Sequence, residues 1–266
     1  MAEKHGSGGE RHIQSVFRAL KILECVAENE NLISLTEISR KMGLSKSTTH
    51  GLIATLEMYG YIQQDLETGK YSLGLKTFEL GQAYAASLDI REIALPDLKE
   101  LSELYQETAH LAILSGDEVV YIDKVDGNRS SIGIRTRIGG RNPAYCTGVG
   151  KVLLAGLSED TVKEMYAGKP FKKFTKNTVS DLTALAKQLQ RVRETGYAMD
   201  SEEIEPDLQC VAAPVRDSQG VVIAAISLSG PANRFHNMEQ IISAVIKAAE
   251  QVSMRLGYNR RARVIK

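Results

Sequence analysis

The chain has 266 residues, of which 43% are hydrophobic and 25% are charged, and its 33 basic residues balance 33 acidic ones. This composition is typical of a soluble globular protein, and the length leaves room for two domains with separate cores. No apolar run reaches about 18 residues, which argues against a transmembrane helix. The strongly basic composition that usually accompanies nucleic-acid binding is absent, because the charges balance.

The N-terminal segment, residues 1–12, is polar and rich in glycine, and it lacks the basic-then-apolar pattern of a secretory signal. We interpret it as a disordered leader. The three cysteines, Cys25, Cys146 and Cys210, are far apart and form no CxxC pair. This spacing indicates a reducing compartment without structural disulfides, so we expect a cytoplasmic protein with no membrane partner.

The pattern of elements predicts a first domain at residues 13–74, a linker helix at 75–89 that could also contact a second copy, and a second domain at 90–260. A short basic tail, residues 261–266, follows. The first domain begins with a predicted helix at Gln14 to Glu28. Its spacing of apolar residues predicts an inner face of Val16, Leu20, Leu23 and Ala27.

Residues 34–60 have the form of a helix, a short turn and a second helix. Ser34 and Glu37 match a capping box, and Gly43 suits the left-handed position that ends a helix. Ser45 can then cap the following helix. Two helices joined by such a turn predict a helix-turn-helix, which places its second helix in the DNA major groove.

The second helix of this motif has two different faces. Its apolar side is predicted to contain Leu52, Leu56 and Tyr59, whereas the opposite side contains Lys46, Ser47, His50 and Ala54. Short polar residues near a helix start suit contacts with phosphates and base edges. We therefore predict DNA contacts from Lys46, Ser47, Thr49, His50, Arg40 and Lys41. The alternative is an ordinary amphipathic pair in a helical bundle.

Two short strands, Ile62–Gln64 and Tyr71–Leu73, flank a turn that contains Gly69 and predict a β-hairpin. A hairpin after a helix-turn-helix makes a winged helix, in which Lys70 is a candidate phosphate contact. Residues 1–74 contain eight basic and nine acidic residues, a net charge of −1. One such domain should therefore bind DNA weakly, and we expect more than one per site.

The rest of the chain mixes helices and strands. A helix is expected at Ile90 to Gln106, with Pro96 in its first turn. Strands are expected at 110–114, 118–125, 132–136, 211–216 and 221–229, with a turn at 217–220 between the last two. Further helices are expected at 149–157, 159–167, 182–195 and 238–256. This order predicts an α+β domain with a mostly antiparallel sheet.

Several stretches together resemble the IclR family of bacterial transcriptional regulators. They are SVFRALKILECVAE, LTEISRKMGLSKSTTHGLIATLEMYGYI, RIGGRNPAYCTGVGKVLLA and QCVAAPVRDSQGVVIAAISLSGP, and they fall between residues 15 and 257. The resemblance implies a winged helix joined by the linker helix to a GAF-like effector domain. It also implies homodimers that often pair into tetramers, operator DNA as partner, a small organic acid as signal, and repression as the usual mode. Gly51 is a departure, because the family usually has Arg there.

A ligand site is predicted where the loop 143–147 leads into an apolar helix. Amides at a helix start have no internal partner and carry partial positive charge, so they suit a carboxylate, and Gly148 would let it approach closely. A nucleotide P-loop is excluded, because it would need Gly at position 145 and Ser or Thr at 152. A plain glycine-rich helix entry is the alternative.

The family resemblance extends this site to other segments. It implies effector contacts at Gly148, Val149, Asp200, Leu208, Cys210, Ser227 and Ser229, and pocket-wall positions at Ser131 and Ile134. Ser227 and Ser229 alternate along one strand, so their hydroxyls share a face. Each residue alone could also have a purely structural role. A buried Cys, for example, usually acts as a small hydrophobic residue. A metal held by Cys146, Cys210 and Asp200 is a further alternative, although no short ligand spacing supports it.

Asp200 restricts the chemical class of the ligand. A carboxylate beside an anionic ligand is tolerable only if it accepts hydrogen bonds from ligand hydroxyls or is protonated. Hydroxylated acids, such as sugar acids or keto-deoxy sugar acids, therefore fit better than apolar ones, and RIGGRNPAYCTGVGK is similar to the family branch that responds to them. An aromatic acid is the alternative effector. Three arginines could form a cationic wall or lie on the surface: Arg135, Arg137 and Arg141.

Two classes of function follow from these patterns. The first is a ligand-controlled DNA-binding regulator of catabolic genes, without a cofactor. The second is an enzyme acting on a small acid with an accessory DNA-binding domain. The sequence contains no GxSxG, HExxH or cofactor fingerprint, and neither His110 nor His236 lies in a catalytic motif. We therefore predict a regulator that is not an enzyme.

Overall fold

The computed structural model describes residues 13–29, 32–86, 89–128 and 136–259, and the chain divides into two compact units between residues 88 and 89. The predicted leader and basic tail lie outside the described residues, as does most of the strand predicted at 132–136. Within the described ranges, no helix combines the length and the apolar character needed to cross a membrane.

The first unit is a winged helix followed by a further helix. Its helices are α1 (Gln14–Glu28), α2 (Leu35–Met42) and α3 (Lys46–Met58), its antiparallel strands are β1 (Ile62–Gln64) and β2 (Tyr71–Leu73), and α4 (Leu75–Ala86) comes last. This order confirms the predicted helix-turn-helix with a wing. Helix α4 covers most of the linker helix predicted at 75–89; residues 87–88 lie outside the description.

The helix ends are set by the predicted local contacts. The Ser34 hydroxyl accepts a hydrogen bond from the Glu37 N–H at 3.3 Å, and the Glu37 carboxylate accepts one from the Ser34 N–H at 3.1 Å. Gly43 ends α2 with φ of 62°, and the Ser45 hydroxyl caps α3 by accepting from the Thr48 N–H at 3.2 Å. The capping pattern is therefore confirmed.

The predicted inner face of α1 was wrong for Val16 and Leu20, whereas Leu23 does pack against the core. Its buried residues are Ile22, Cys25 and Val26, whereas the side chains of Val16 and Leu20 are 53% and 55% exposed. The helix carries apolar residues on two sides, so periodicity alone could not decide which side packs inward. The core of this unit consists of Ile22, Cys25, Val26, Ile33, Ile38, Ile53, Ile62 and Tyr71.

Helix α3 also packs on a slightly different face from the predicted one. Leu52 and Leu56 are half-buried at the border of the core, but Ile53 and Thr49 are the fully buried residues. Tyr59 is 66% exposed because α3 ends at Met58, which places Tyr59 at the cap and outside the helical face. The predicted polar face of Lys46, Ser47, His50 and Ala54 is exposed.

The second unit is built on one six-stranded sheet. Its strands are β3 (Thr108–Ser115), β4 (Glu118–Val125), β5 (Arg141–Pro143), β6 (Ala198–Ser201), β7 (Leu208–Arg216) and β8 (Val222–Pro231). They lie in the order β5-β4-β3-β8-β7-β6, with every neighbouring pair antiparallel. This arrangement confirms the predicted antiparallel α+β domain, although the sequence did not predict β5.

Helices cover this sheet. They are α5 (Asp89–Tyr105), α6 (Gly148–Ala155), α7 (Glu159–Tyr166), α8 (Leu182–Thr195) and α9 (Met238–Arg255). Helix α6 packs on the strands and on α8, and α5 packs on α9. The core around α6 includes six residues from five strands: Ala112, Val119, Tyr121, Ala198, Ala212 and Ala225. Helix α6 is preceded by a short 3₁₀ turn at Ala144–Cys146.

Pro96 lies inside α5, which corrects its predicted position in the first turn. The helix begins at Asp89, seven residues upstream, so Pro96 falls in its middle. Proline has no N–H, and the carbonyl of Glu92 therefore lacks the donor that a regular helix would give it. Tertiary packing through the buried Ala94, Leu98 and Leu101 offsets this deficit.

A substitution at Gly51 can test how much the poor helix propensity of glycine lowers the stability of the chain. A β-carbon at Gly51 would have no atom within 4 Å, so Ala fits without strain. We expect Gly51→Ala to raise the free energy of unfolding of the full chain by about 1 kcal/mol, because Gly is the poorer helix former. Urea unfolding followed by circular dichroism would measure it.

Gly43→Ala is the matched control for this test. Position 43 has equally open surroundings but a φ of 62°, so Ala there should lower stability by about 1 kcal/mol. A Gly51→Ala variant that is no more stable than the parent chain would contradict the prediction.

Candidate functional site

One cavity of about 280 Å³ in the second unit brings together residues from all six strands of the sheet and the start of α6. Seven residues predicted as effector contacts line it: Gly148, Val149, Asp200, Leu208, Cys210, Ser227 and Ser229. Ser131 and Ile134, the other two, lie outside the described residues. The structure thus places the seven around one space, and their contact with a ligand stays a prediction.

The strand register explains why these side chains meet. Asp200 in β6 lies opposite Cys210 in β7, and Cys210 lies opposite Ser229 in β8. Ser227, two residues before Ser229, lies opposite His110 in β3. Directly opposed residues and residues two apart point to the same side of a sheet, so all five face the cavity.

The start of α6 contributes backbone donors. The Thr147 hydroxyl caps this helix by accepting from the Gly150 N–H at 3.2 Å. The N–H groups of Gly148 and Val149 have no recorded partner within the described residues, and both residues line the cavity. A β-carbon at Gly148 would lie 3.0 Å from the Cys210 sulfur. The helix start therefore lies so close to the sheet that a larger residue would be crowded at this position.

Asp200 is the central acid of the cavity, and its side chain is only 1% exposed. One of its carboxyl oxygens accepts a hydrogen bond from the Glu203 N–H at 2.7 Å. Burial nevertheless raises the pKa of Asp200 to about 7. At neutral pH this group therefore exchanges between a neutral acid and a carboxylate.

A buried ion pair lies beside Asp200. The Lys151 ammonium of α6 donates to a carboxylate oxygen of Glu203 at 2.5 Å and to the Gln188 side-chain oxygen at 2.8 Å. The second carboxylate oxygen of Glu203 is buried without a recorded partner among the described residues. The sequence patterns did not reveal this pair, because its members are 52 residues apart.

The two cysteines near the cavity are buried thiols. Burial raises the pKa of Cys210 to about 11 and that of Cys146 to about 12, so both stay protonated at neutral pH. Metal ligation requires the thiolate. Across the described part of the chain, no three His, Cys, Asp or Glu side chains are arranged to hold a metal ion.

Sequence reasoning missed a group on the β3–β5 side of the cavity: His110, Tyr121, Thr136 and Asn142. The His110 ring is buried, and one of its nitrogens lies 2.7 Å from the Thr136 hydroxyl. Burial lowers the pKa of His110 to about 3, so the ring is neutral. Its alignment with Ser227 could have been found only after the β3–β8 pairing was known.

The three arginines have different positions. Arg137 and Arg141 line the cavity, whereas Arg135 lies outside the described residues. The Arg141 guanidinium donates to Glu118 and to Ser115, both at 3.1 Å. Arg137 is exposed at the cavity mouth, and the structure records no ion pair for it within the described ranges.

The predicted DNA-contacting residues lie on the first unit, with one correction. Lys46, Ser47 and His50 are exposed on α3, Lys70 is exposed in the wing, and Arg40 and Lys41 are exposed at the end of α2. Thr49 is 0% exposed, and its hydroxyl donates to the Ser45 carbonyl at 3.0 Å. It supports the helix start and cannot reach DNA, because it lies on the inner face of α3.

Comparison with known proteins agrees with this arrangement. Residues 15–66 match the IclR helix-turn-helix domain, and residues 82–254 match the C-terminal domain of the bacterial transcriptional regulator IclR. The chain is 44% identical to the transcriptional regulator XynR of Escherichia coli, over 92% of this chain and 98% of XynR. It is 40% identical to KdgR of the same organism, over 93% and 94% respectively.

A solved structure shows the same fold. It is an IclR homologue from Microbacterium hydrocarbonoxydans in complex with 4-hydroxybenzoate, with a TM-score of 0.83 and 26% identity over 91% of this chain and 99% of that one. The relatives are named as transcriptional regulators, which decides against the enzyme alternative. The chain therefore belongs to the IclR family of DNA-binding transcriptional regulators.

Proposed function

We propose that the cavity binds a small hydroxylated organic acid, and that this binding changes the affinity of paired winged helices for operator DNA. The observation that carries the proposal is the convergence on one cavity of two serine hydroxyls, a buried acid and two helix-start amides that have no recorded partner among the described residues. The partners are then double-stranded operator DNA and the acid. Because chromosomal DNA is the target, we also propose a cytoplasmic location.

The start of α6 is the proposed anchor for the carboxylate of the ligand. The N–H groups of Gly148 and Val149 lie at the positive end of the helix dipole, where an anion is stabilised. The buried Lys151 on the next turn adds positive potential, although Glu203 offsets much of it. Gly148 leaves room for the carboxylate to approach the backbone.

Asp200 and the serines favour a hydroxylated ligand. A neutral Asp200 can donate its proton to the bound carboxylate and can accept a hydrogen bond from a ligand hydroxyl. Ser227 and Ser229 offer further donors and acceptors on the same sheet face. A sugar acid or keto-deoxy sugar acid meets these requirements. The 4-hydroxybenzoate bound by the homologue supports an aromatic acid as the second candidate.

An exposed apolar stripe on α1 supports a homodimer. Ile13, Val16, Phe17 and Leu20 follow the i, i+3, i+4, i+7 spacing of one helix face, and each is at least 45% exposed. An exposed stripe of this kind marks an interaction surface. Pairing two copies would supply the second winged helix that a single domain without net positive charge needs. A dimer of such dimers follows the family pattern.

Effector and DNA are coupled in this proposal. If the acid binds one arrangement of the paired domains better than the other, then DNA and acid change each other's affinity by the same factor. The family resemblance favours repression, so the bound acid should lower operator affinity and release catabolic genes.

The DNA surface can be tested with the double variant Lys46→Ala/His50→Ala. We expect it to lower affinity for DNA from the chain's own upstream region by about tenfold or more. The slope of affinity against salt should also fall by about 1 for each phosphate that the variant no longer binds. Gel-shift titrations at several salt concentrations would measure both. Lys187→Ala, an exposed charge of the second unit, is the control that should bind like the parent chain; equal binding by the double variant would refute the assignment.

The acid pocket can be tested through pH. Asp200, with its pKa raised to about 7, is neutral below that pH and ionised above it. An anionic ligand beside it should therefore bind more weakly as pH rises above about 7, by up to about tenfold per pH unit. Calorimetric titration of sugar acids and keto acids between pH 6 and 8 would measure the trend.

Asp200→Asn removes the titrating proton while it keeps the size of the side chain. We expect affinity in this variant to be nearly independent of pH, whereas Asp160→Asn, on the exposed start of α7, should keep the parent trend. A parent chain whose affinity is constant across this range would show that Asp200 does not face the anion.

The dimer surface can be tested with Leu20→Glu. A charge in the middle of the α1 stripe should oppose association, so the mass in sedimentation should fall toward the 29.2 kDa of one chain. Leu66→Glu, at the exposed wing turn, changes the same residue types outside the stripe and should leave the mass unchanged. An unaltered mass in Leu20→Glu would place the interface elsewhere.

A further inference from the structure

The cavity has a second polar end that none of the seven described effector contacts occupies. It is formed by Tyr121 of β4 and Asn142 of β5, next to the pair of His110 and Thr136. The inference rests on the acid pocket proposed above and adds a second point of recognition within it.

A β-bulge turns Tyr121 into the cavity. His110 lies opposite Lys124 and Leu111 opposite Asp123, but Ala112 lies opposite Tyr121. In a regular ladder Ala112 would face Ile122, and Tyr121 would point to the other side of the sheet. The extra residue therefore exchanges an aliphatic side chain for a phenol at the cavity wall. Bulges near binding sites commonly redirect a side chain in this way.

The Tyr121 hydroxyl has hydrogen-bonding capacity to spare. It accepts a hydrogen bond from the Asn142 amide nitrogen at 3.3 Å, and within the described residues no acceptor is recorded for its own proton. The side chain is 6% exposed, and burial raises its pKa, so the proton stays in place. The Asn142 side-chain oxygen likewise has no recorded donor among the described residues. One donor and one acceptor are thus available side by side.

The sheet order sets the length of a ligand that reaches both ends. The start of α6 lies over Cys210 of β7, and Tyr121 lies on β4. These strands are three spacings of about 4.8 Å apart, or about 14 Å along the sheet, and the long Tyr121 side chain covers part of that distance. On this spacing we expect an acid of about five or six carbons anchored at α6 to reach the phenol, and a two- or three-carbon acid to fall short of it.

We propose that Tyr121 and Asn142 form a distal subsite that binds a hydroxyl or keto oxygen of the effector, at the end opposite its carboxylate. A neutral donor and a neutral acceptor suit an uncharged oxygen. The effector class is then a five- or six-carbon acid that carries oxygen substituents along its chain. A phenol left without a partner would penalise acids that lack the distal oxygen, since an unmet buried polar group costs free energy.

The test is calorimetric titration of the full chain with two sets of probes. The long set contains five- and six-carbon aldonic acids and 2-keto-3-deoxy aldonic acids, and the short probe is glycerate. The parent chain should bind at least one long acid more tightly than glycerate. Tyr121→Phe should weaken that acid about tenfold and glycerate less than about twofold, because only the long acid reaches the phenol.

Tyr145→Phe is the matched control. Tyr145 is buried in the same core, but its hydroxyl donates to the Lys172 carbonyl at 2.7 Å, outside the cavity lining. It should leave the ratio of the two affinities unchanged. Asn142→Ala is a second variant that keeps the Tyr121 ring, and it should also weaken the long acid selectively.

The outcomes separate the subsite from the pocket. Equal weakening of long and short acids by Tyr121→Phe, or a parent chain that binds glycerate as tightly as every long acid, would overturn the subsite while the acid pocket stands. Failure of every acid to bind the parent chain would overturn the pocket, and the subsite with it.

Discussion

The packing of the second unit depends on the short distances between the first turn of α6 and the residues around it, Ala144 and Cys210. A β-carbon at Gly150 would lie 2.2 Å from the Ala144 carbonyl oxygen, and one at Gly148 would lie 3.0 Å from the Cys210 sulfur. The first distance is shorter than a real β-carbon tolerates and the second is at the limit, so this packing depends on glycine at both positions. Because the helix start is held so near the sheet, its first amides and the side chains of three strands share one small volume. Larger residues would separate the anion-binding backbone from the acid and hydroxyl groups that select the ligand.

The same close packing forces charge into the interior. Lys151, Glu203 and Asp200 are each at least nine-tenths buried, and the first two neutralise each other at 2.5 Å. A buried ion pair adds little to the free energy of unfolding, because the cost of removing both charges from water offsets most of their attraction. Removing only one partner lowers stability strongly, because it leaves an unpaired buried charge. The pair holds the segment after β6 against α6, and Ile204 and Glu205 in that segment line the cavity. Its contribution is therefore the shape of the pocket more than the stability of the fold.

Local contacts were predictable from sequence, whereas non-local ones were not. The caps at Ser34 and Ser45 involve residues three positions apart, so the sequence alone specifies them. The packing face of α1 was mispredicted because the helix has two apolar sides, and only its neighbours decide which one is buried. The orientation of Tyr121 depends on a bulge, which shows only in the pairing of two strands. The seven cavity residues were predictable because the family resemblance identifies positions that come together only once the strands have paired.

Strand β6 is an edge of the sheet, and this position affects how the cavity exchanges with solvent. Asp200 lies on a strand with one hydrogen-bonded neighbour, β7, so the wall it forms has fewer backbone bonds to break than any interior strand. Local opening free energies are lowest at such margins. One of the two edges of the sheet is thus also a side of the binding site. A ligand bridging α6 and β6 would act as an additional cross-link there, and its residence time would be set by how often that margin opens.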